Sequence, residues 1–212
     1  FSYALRLMFL MTLPASFGLM VLSEPICRLI FEGGQAGTFD TQQTAGALFF
    51  YAFGLCGYSA VKIATDGFYA FSDTRTPVKV SLCTVALNIL LNYLFIYRLG
   101  FDHRLLALST SCTITLNFLA LLFLLRWKVG GLGLSGIWLL LIKIVAASAV
   151  MGWVCWWTNT RIERLLGVAG LIARLIGVFV PISLGVAVLV GACRLLKIRE
   201  LNQLLEAIAR RR

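Results

Sequence analysis

The chain has 212 residues, with 19 Lys plus Arg against 9 Asp plus Glu and a formal net charge of +10. Apolar residues make up 60% of it and charged residues only 13%, and the mean hydropathy is +0.91. Soluble domains are about half apolar and about a quarter charged, so this composition excludes a water-soluble globular domain. The basic residues lie in short clusters between apolar runs, which is typical of loops at a membrane surface and not of a nucleic-acid-binding surface.

Six apolar runs are each long enough to cross a bilayer, for which about 20 residues suffice. We therefore predict an all-α integral membrane protein with six transmembrane helices, over residues 4–22, 44–71, 78–97, 105–125, 136–157 and 168–196. A short segment at 26–32 is expected to lie at the membrane interface. Asp40 is predicted to cap the second helix, and Thr158 to Thr160 to end the fifth.

The two ends of the chain carry different signals. The first run begins at Phe1 with no charged region before it, so it is predicted to be a membrane helix in a fragment of a longer protein. The last segment, 199–212, repeats Leu and Ile at helical spacing and ends in arginines. This basic tail helix is expected either to lie on an anionic membrane surface or to pack on the protein itself.

The distribution of basic residues predicts the topology. Six membrane crossings place successive connecting segments alternately on the two sides of the membrane. The segments on the same side as the C-terminus contain more Lys and Arg residues than those on the other side. Cytoplasmic segments carry the excess of Lys and Arg, so we predict a cytoplasmic C-terminus.

No residue pattern in the sequence indicates an enzyme. There is one histidine, and no H-E-x-x-H, G-x-S-x-G or phosphate-loop motif is present. The six cysteines are scattered, mostly in apolar runs, and no C-x-x-C spacing occurs, so they are interpreted as small buried residues. We predict no catalytic residue, no metal site and no cofactor.

Charged residues within the second apolar run are the first candidate binding site. Lys62 and Asp66 are four residues apart and share one helix face. Ionisable residues at membrane depth usually face a partner or a watery cavity. Three alternatives follow. The two side chains neutralise one another, or Lys62 contacts an anionic substrate while Asp66 tunes it, or both lie near the cytoplasmic end, where the Lys62 side chain extends to the surface.

Asparagines inside the third and fourth runs are the second candidate. Asn88 and Asn92 are four residues apart, and Asn117 follows in the next run. Amide side chains in membrane helices mostly join neighbouring helices by hydrogen bonds. The alternative is that all three line a hydrophilic substrate path.

A charged hairpin joins the second and third helices, with the sequence Asp73-Thr74-Arg75-Thr76-Pro77. Pro77 suits the first turn of a helix, and Asp73, Thr74 or Thr76 is expected to cap that helix. Arg75 and Lys79 are predicted to hold the hairpin on the cytoplasmic side.

Two stretches, LPASFGLMVLSEPI over 13–26 and VKIATDGFYAFSDTRTPV over 61–78, resemble the MurJ (MviN) lipid II flippase family. The resemblance extends over about residues 4–125. The family belongs to the multidrug/oligosaccharidyl-lipid/polysaccharide exporter superfamily. Lys62 stands where the family has Lys, whereas the position of Asp66 is usually Pro or a small residue in the family.

The resemblance implies a fourteen-helix, two-lobed flippase of which this chain is the last six helices. Residues 1–128 would be the last four helices of the second lobe, and residues 129–198 two additional helices that form a groove for the lipid tail. The cavity arginines of the family lie in parts absent from this chain.

The function implied is transport of lipid II, the undecaprenyl-linked peptidoglycan precursor, to the outer leaflet of the bacterial inner membrane by alternating access. The expected partners are lipid II, membrane lipids and cell-wall synthesis proteins. The alternatives are a polysaccharide-unit or drug exporter of the same superfamily, and a membrane scaffold for cell-wall enzymes.

Overall fold

The computed structural model of the chain describes residues 1–31, 38–97, 104–130, 137–167 and 170–196. Within these residues all regular structure is helical, and every helix except the short α2 is long and apolar enough to cross a membrane. The helices are α1 Ser2–Val21, α2 Ser23–Phe31, α3 Thr38–Ala70, α4 Arg75–Tyr97, α5 Arg104–Val129, α6 Ile137–Leu166 and α7 Leu171–Leu195. The predicted all-α fold with six apolar spans is therefore confirmed.

Two predicted helix ends are wrong. α3 already begins at Thr38, so Asp40 lies within its first turn and is not its N-cap. α6 continues through Thr158 and Thr160 to Leu166, and within it the Thr160 hydroxyl donates to the carbonyl of Trp156 at 2.9 Å. The predicted tail helix over 199–212 lies outside the described residues.

α1 lies at the centre of the packing. Near its start, Leu5 is buried in a cluster with Ala64 and Phe68 of α3 and Leu121 of α5. One and a half turns later, Leu10 is buried in a second cluster formed by α6 and α7, with Leu140, Ile144, Ala147 and Cys193. α1 therefore separates an α3–α5 layer from an α6–α7 layer.

Small residues bring α3 and α5 into close contact. A Cβ atom placed on Gly54 would lie 2.9 Å from Ser111 Cβ and 3.0 Å from Ser111 Cα, and one on Gly57 would lie 3.0 Å from Ile114 Cγ2. Ser111 Oγ also donates to the carbonyl of Phe50 at 2.6 Å. Such contacts are typical of membrane helices, where dispersion and interhelical hydrogen bonds replace the hydrophobic effect.

The remaining helices surround these layers. α4 packs mainly on α5 and leaves most of its apolar side chains exposed. α6 and α7 approach closely at Gly185, where an added Cβ would lie 2.5 Å from Cys155 Sγ. α2 packs on α3 and on α7, and Arg28 joins it to α6 through Glu163 at 3.2 Å.

Candidate functional site

A polar stripe runs along an exposed face of α3. Lys62 and Asp66 are both exposed, and Tyr58 and Tyr69 extend the same face by about one turn in each direction, at 47% and 49% exposure. We call these four residues the α3 polar face. Lys62 lies eight residues before the end of α3 at Ala70, or roughly 12 Å along the helix axis. The Lys62 ammonium group therefore lies on the part of α3 that is long and apolar enough to cross a membrane.

Lys62 and Asp66 make no direct contact with one another in the described residues. Among the described residues, neither an ion pair nor a hydrogen bond joins these two side chains, although they share a face. Asp66 instead lines a cavity of about 390 Å³ beside Phe1, Ile63, Phe71 and Leu125. The cavity has an apolar wall on its other sides, and substrate contact by either charged residue remains a prediction.

The three asparagines lie along the contact between α4 and α5. Asn88 Nδ2 donates to Thr113 Oγ1 at 3.0 Å, and Asn92 Nδ2 donates to Asn88 Oδ1 at 3.1 Å. Ser109 Oγ donates to Asn92 Oδ1, which completes a chain of side-chain hydrogen bonds between the helices. We call this the α4–α5 seam, and it confirms the interhelical hydrogen bonding predicted for Asn88 and Asn92.

Asn117 is the third asparagine and is 5% exposed. Its Nδ2 lies 3.4 Å from Ser81 Oγ of α4, while its Oδ1 is buried without a hydrogen-bond partner within the described part of the chain. The candidate residues thus divide between the α3 polar face, which is exposed, and the contact of α4 with α5, where Asn88 bonds to Asn92 and Asn117 bonds to Ser81. A substrate role for the seam remains a prediction.

The hairpin between α3 and α4 is built from two adjacent caps. Ser72 adopts a left-handed conformation with φ 56°, its N–H donates to Tyr69 O at 2.9 Å, and the N–H of Asp73 donates to Phe68 O at 3.1 Å. This is a Schellman ending for α3, with serine where glycine is usual. The chain then enters α4 directly, so the reversal needs few residues.

Asp73 caps α4, as predicted. Its Oδ1 accepts the backbone N–H of Thr76 at 3.1 Å and its Oδ2 accepts Thr76 Oγ1 at 2.8 Å. Pro77 is buried in the first turn of α4, where its missing N–H removes no helical hydrogen bond. Arg75 is exposed at the start of the helix, and so is Thr74 just before it.

A lysine from the end of α5 completes the hairpin. Lys128 Nζ lies 2.5 Å from Asp73 Oδ2 and 5.9 Å from the ring centroid of Phe68. The Lys128 ammonium, with the Thr76 backbone N–H and hydroxyl, holds the pKa of Asp73 well below its ordinary value. The hairpin is therefore fixed to α5 by a charged contact that the sequence analysis did not identify.

This contact predicts a pH dependence. A carboxyl whose pKa is lowered by folding stabilises the protein above its unfolded pKa of about 3.9, and this contribution is lost as the pH falls further. Asp73→Asn is therefore expected to lower Tm slightly at pH 7, and its difference from wild type should shrink below pH ~4. Tm measured in detergent across this range checks the prediction. Asp66→Asn is the matched control, and an equal change in both variants would contradict it.

A second polar site lies at the junction of α2, α6 and α7, and sequence reasoning missed it. Arg28 of α2 contacts Glu24 at 2.5 Å and Glu163 of α6 at 3.2 Å. Asn159 and Arg174 lie in the same small hollow. The only local signal was the i, i+4 spacing of Glu24 and Arg28, because the partner residues are more than a hundred positions away in the chain.

These observations define a multi-pass α-helical membrane protein with charged groups on an exposed face of one spanning helix. The model of the family described as "Lipid II flippase MurJ" matches residues 1–177. The chain therefore belongs to the lipid II flippase MurJ family.

Curated relatives agree with this assignment. The chain is 33% identical over 92% of its length to "Probable lipid II flippase MurJ" of Rickettsia prowazekii (strain Madrid E) and 32% identical over 90% to "Lipid II flippase MurJ" of Burkholderia cenocepacia (strain J2315). It spans 38% of the length of each of these two relatives. A solved structure, "Lipid II flippase MurJ, inward closed conformation", matches with a TM-score of 0.68 at 24% identity, over 91% of this chain and 38% of that one, and shows the shared fold.

Proposed function

We propose that the complete protein is a lipid II flippase of the bacterial inner membrane, to which this chain contributes one wall of the transport path. The observation that best supports this proposal is the exposed Lys62 on the part of α3 that could cross the membrane. A cation there is costly against lipid and is retained where it faces a watery cavity or an anionic group. The pyrophosphate of lipid II is such a group.

The α3 polar face supplies the chemistry for moving the head group. The Lys62 ammonium attracts the pyrophosphate, and Tyr58 and Tyr69 offer hydroxyls to the sugar and phosphate oxygens. Asp66, one turn nearer the hairpin, keeps the binding from becoming too tight for release. Alternating access between two lobes then exposes this face first to one side of the membrane and then to the other.

An apolar groove between α1, α6 and α7 binds the hydrocarbon part of the lipid in this proposal. Its volume is about 360 Å³, and Gly18, Met151, Ile182 and Gly185 lie among its walls. A polyprenyl tail lying partly in this groove keeps its apolar surface away from the polar path while the head group crosses. This is the role proposed for the helix pair within residues 129–198.

The distribution of basic residues supports the proposed orientation. The hairpin end carries Arg75, Lys79 and Lys128, and in the proposed topology it faces the cytoplasm together with the C-terminus. Association with cell-wall synthesis proteins stays a prediction of the family resemblance.

The test is export of lipid II by the complete protein. Expressed in a bacterium depleted of its own lipid II flippase, it is expected to restore growth and to expose lipid II to an enzyme added outside the cell. Protein that reaches the membrane but leaves lipid II on the inner leaflet would refute the proposal. Export of a different lipid-linked saccharide in the same assay would favour the related-exporter alternative.

A further inference from the structure

The cavity beside Asp66 is an apolar pocket with one charged group. Among its described lining residues Asp66 alone is charged, and Phe1, Phe71 and Leu125 supply aromatic and aliphatic walls. An added Cβ on Gly67 would lie 3.0 Å from Leu125 Cδ2 and 3.2 Å from the Phe1 ring, so the pocket is closely packed on that side. We call it the Asp66 pocket, and its volume is about 390 Å³.

The Asp66 carboxylate has no cation of its own within the described part of the chain. Its side chain makes no ion pair or hydrogen bond there, and it is exposed. Asp73, seven residues farther on, differs because Lys128 already contacts it. A carboxylate on a membrane-spanning segment is retained where it meets water or a cation. Asp66 therefore offers an anionic group to a ligand.

The composition of the Asp66 pocket favours an alkylammonium group. A carboxylate accepts charged hydrogen bonds from an ammonium, and aromatic rings such as those of Phe1 and Phe71 attract cations. The methylene groups next to the ammonium match the apolar walls. The volume of about 390 Å³ is many times the ~30 Å³ share of a water molecule, so a butyl chain fits. One carboxylate among apolar side chains is a poor site for Ca²⁺ or Mg²⁺, which take about six or more oxygen ligands.

The two charges of α3 stand in the order that a lipid-linked peptide requires. Asp66 lies one turn nearer the hairpin than Lys62, or roughly 6 Å along the helix axis. In the proposed orientation the hairpin end is cytoplasmic, so Lys62 is the deeper of the two groups. A precursor bound from the cytoplasm has its pyrophosphate next to the membrane and its peptide farther out. Its pyrophosphate therefore matches Lys62, and its peptide matches Asp66.

We infer that the Asp66 pocket binds a side-chain ammonium group of the peptide that the lipid-linked precursor carries. The ammonium lies at the Asp66 carboxylate, and the methylene groups before it lie against Phe1, Phe71 and Leu125. The inference rests on the proposed function and adds a specificity-determining residue to it. Precursors with a free side-chain amine are bound in preference to those whose amine is blocked.

The experiment compares two forms of lipid II, one with a lysine in its peptide and the same molecule acetylated on the lysine side-chain amine. Binding of each form to the complete protein in detergent is measured by microscale thermophoresis. Wild type is expected to bind the free-amine form roughly tenfold more tightly, as for one charge-assisted hydrogen bond. Asp66→Asn should bind both forms equally, and Asp66→Glu should keep part of the preference because it keeps the charge.

Two matched controls separate the pocket from general effects. Glu24→Gln also removes an exposed carboxylate, but from α2 and outside the pocket, and should leave the preference unchanged. Ala70→Leu narrows the pocket from an exposed lining position and should reduce the preference, whereas Ala86→Leu, exposed on α4 away from the pocket, should not.

The outcomes distinguish this inference from the proposed function. Equal binding of the two forms by wild type would overturn the inference and leave the proposed function intact, and so would an undiminished preference in both Asp66→Asn and Ala70→Leu. Spermidine binding that is lost in Asp66→Asn but does not compete with lipid II would assign the pocket to a soluble amine, against the inference. Failure to bind either form of lipid II would refute the proposed function as well.

Discussion

Gly54→Ala is expected to destabilise the protein, although alanine is the better helix former. The new Cβ would lie 2.9 Å from Ser111 Cβ and 3.0 Å from Ser111 Cα, so α3 and α5 must move apart. Overpacking of this kind costs about 1–3 kcal/mol, more than the ~1 kcal/mol gained by replacing a helical glycine. Tm and the yield of monodisperse protein in detergent measure the effect.

Gly191→Ala supplies the matched control. Gly191 lies in α7, and a Cβ atom there meets nothing within 4 Å. The same substitution should therefore leave Tm unchanged or raise it. If both variants shift Tm in the same direction, close packing at Gly54 does not determine the stability of the α3–α5 contact.

Lys62→Ala is expected to reduce lipid II export by about tenfold or more in the complete protein, with folded protein still present in the membrane. The reason is the loss of the charged hydrogen bond that the proposed function places between Lys62 and the pyrophosphate, of about 1.5–3 kcal/mol. Complementation of a depleted strain, combined with an assay of lipid II on the outer leaflet, measures it.

Lys79→Ala is the control for this change, because Lys79 is also an exposed lysine but lies at the start of α4, near the hairpin. It should export normally, and Lys62→Arg should retain part of the activity by keeping the charge. Normal growth with Lys62→Ala would show that the Lys62 side chain only extends along the helix toward the head groups.

Local sequence patterns were sufficient for most of the fold. Length and hydropathy predicted every spanning helix of the described residues. Asp73 could be expected to cap α4 because its carboxylate and the N–H donor of Thr76 are only three residues apart. The end of α6 was missed because polar residues beyond the hydrocarbon region remain helical when they are solvated or paired. Glu163, bonded to Arg28 of α2, is one such residue.

The sites were predictable only where their partners are near in sequence. The common face of Lys62 and Asp66 follows from helical periodicity, and the hydrogen bonds of Asn88 and Asn92 follow from amides within apolar runs. Distant segments make the cavity beside Asp66, the Lys128 contact with Asp73 and the small hollow at the junction of α2, α6 and α7. Helical periodicity contains no information on which distant helices meet, so these three features required the structure.

The position of α1 has a mechanical consequence. Leu5 is buried against α3 and α5 and Leu10 against α6 and α7, so a movement of either helix pair acts on α1. The apolar groove lies on one side of α1, and the helix that carries the α3 polar face packs on its other side. In the proposed function, we therefore expect binding of the lipid tail and movement of the head group to be coupled through this one helix.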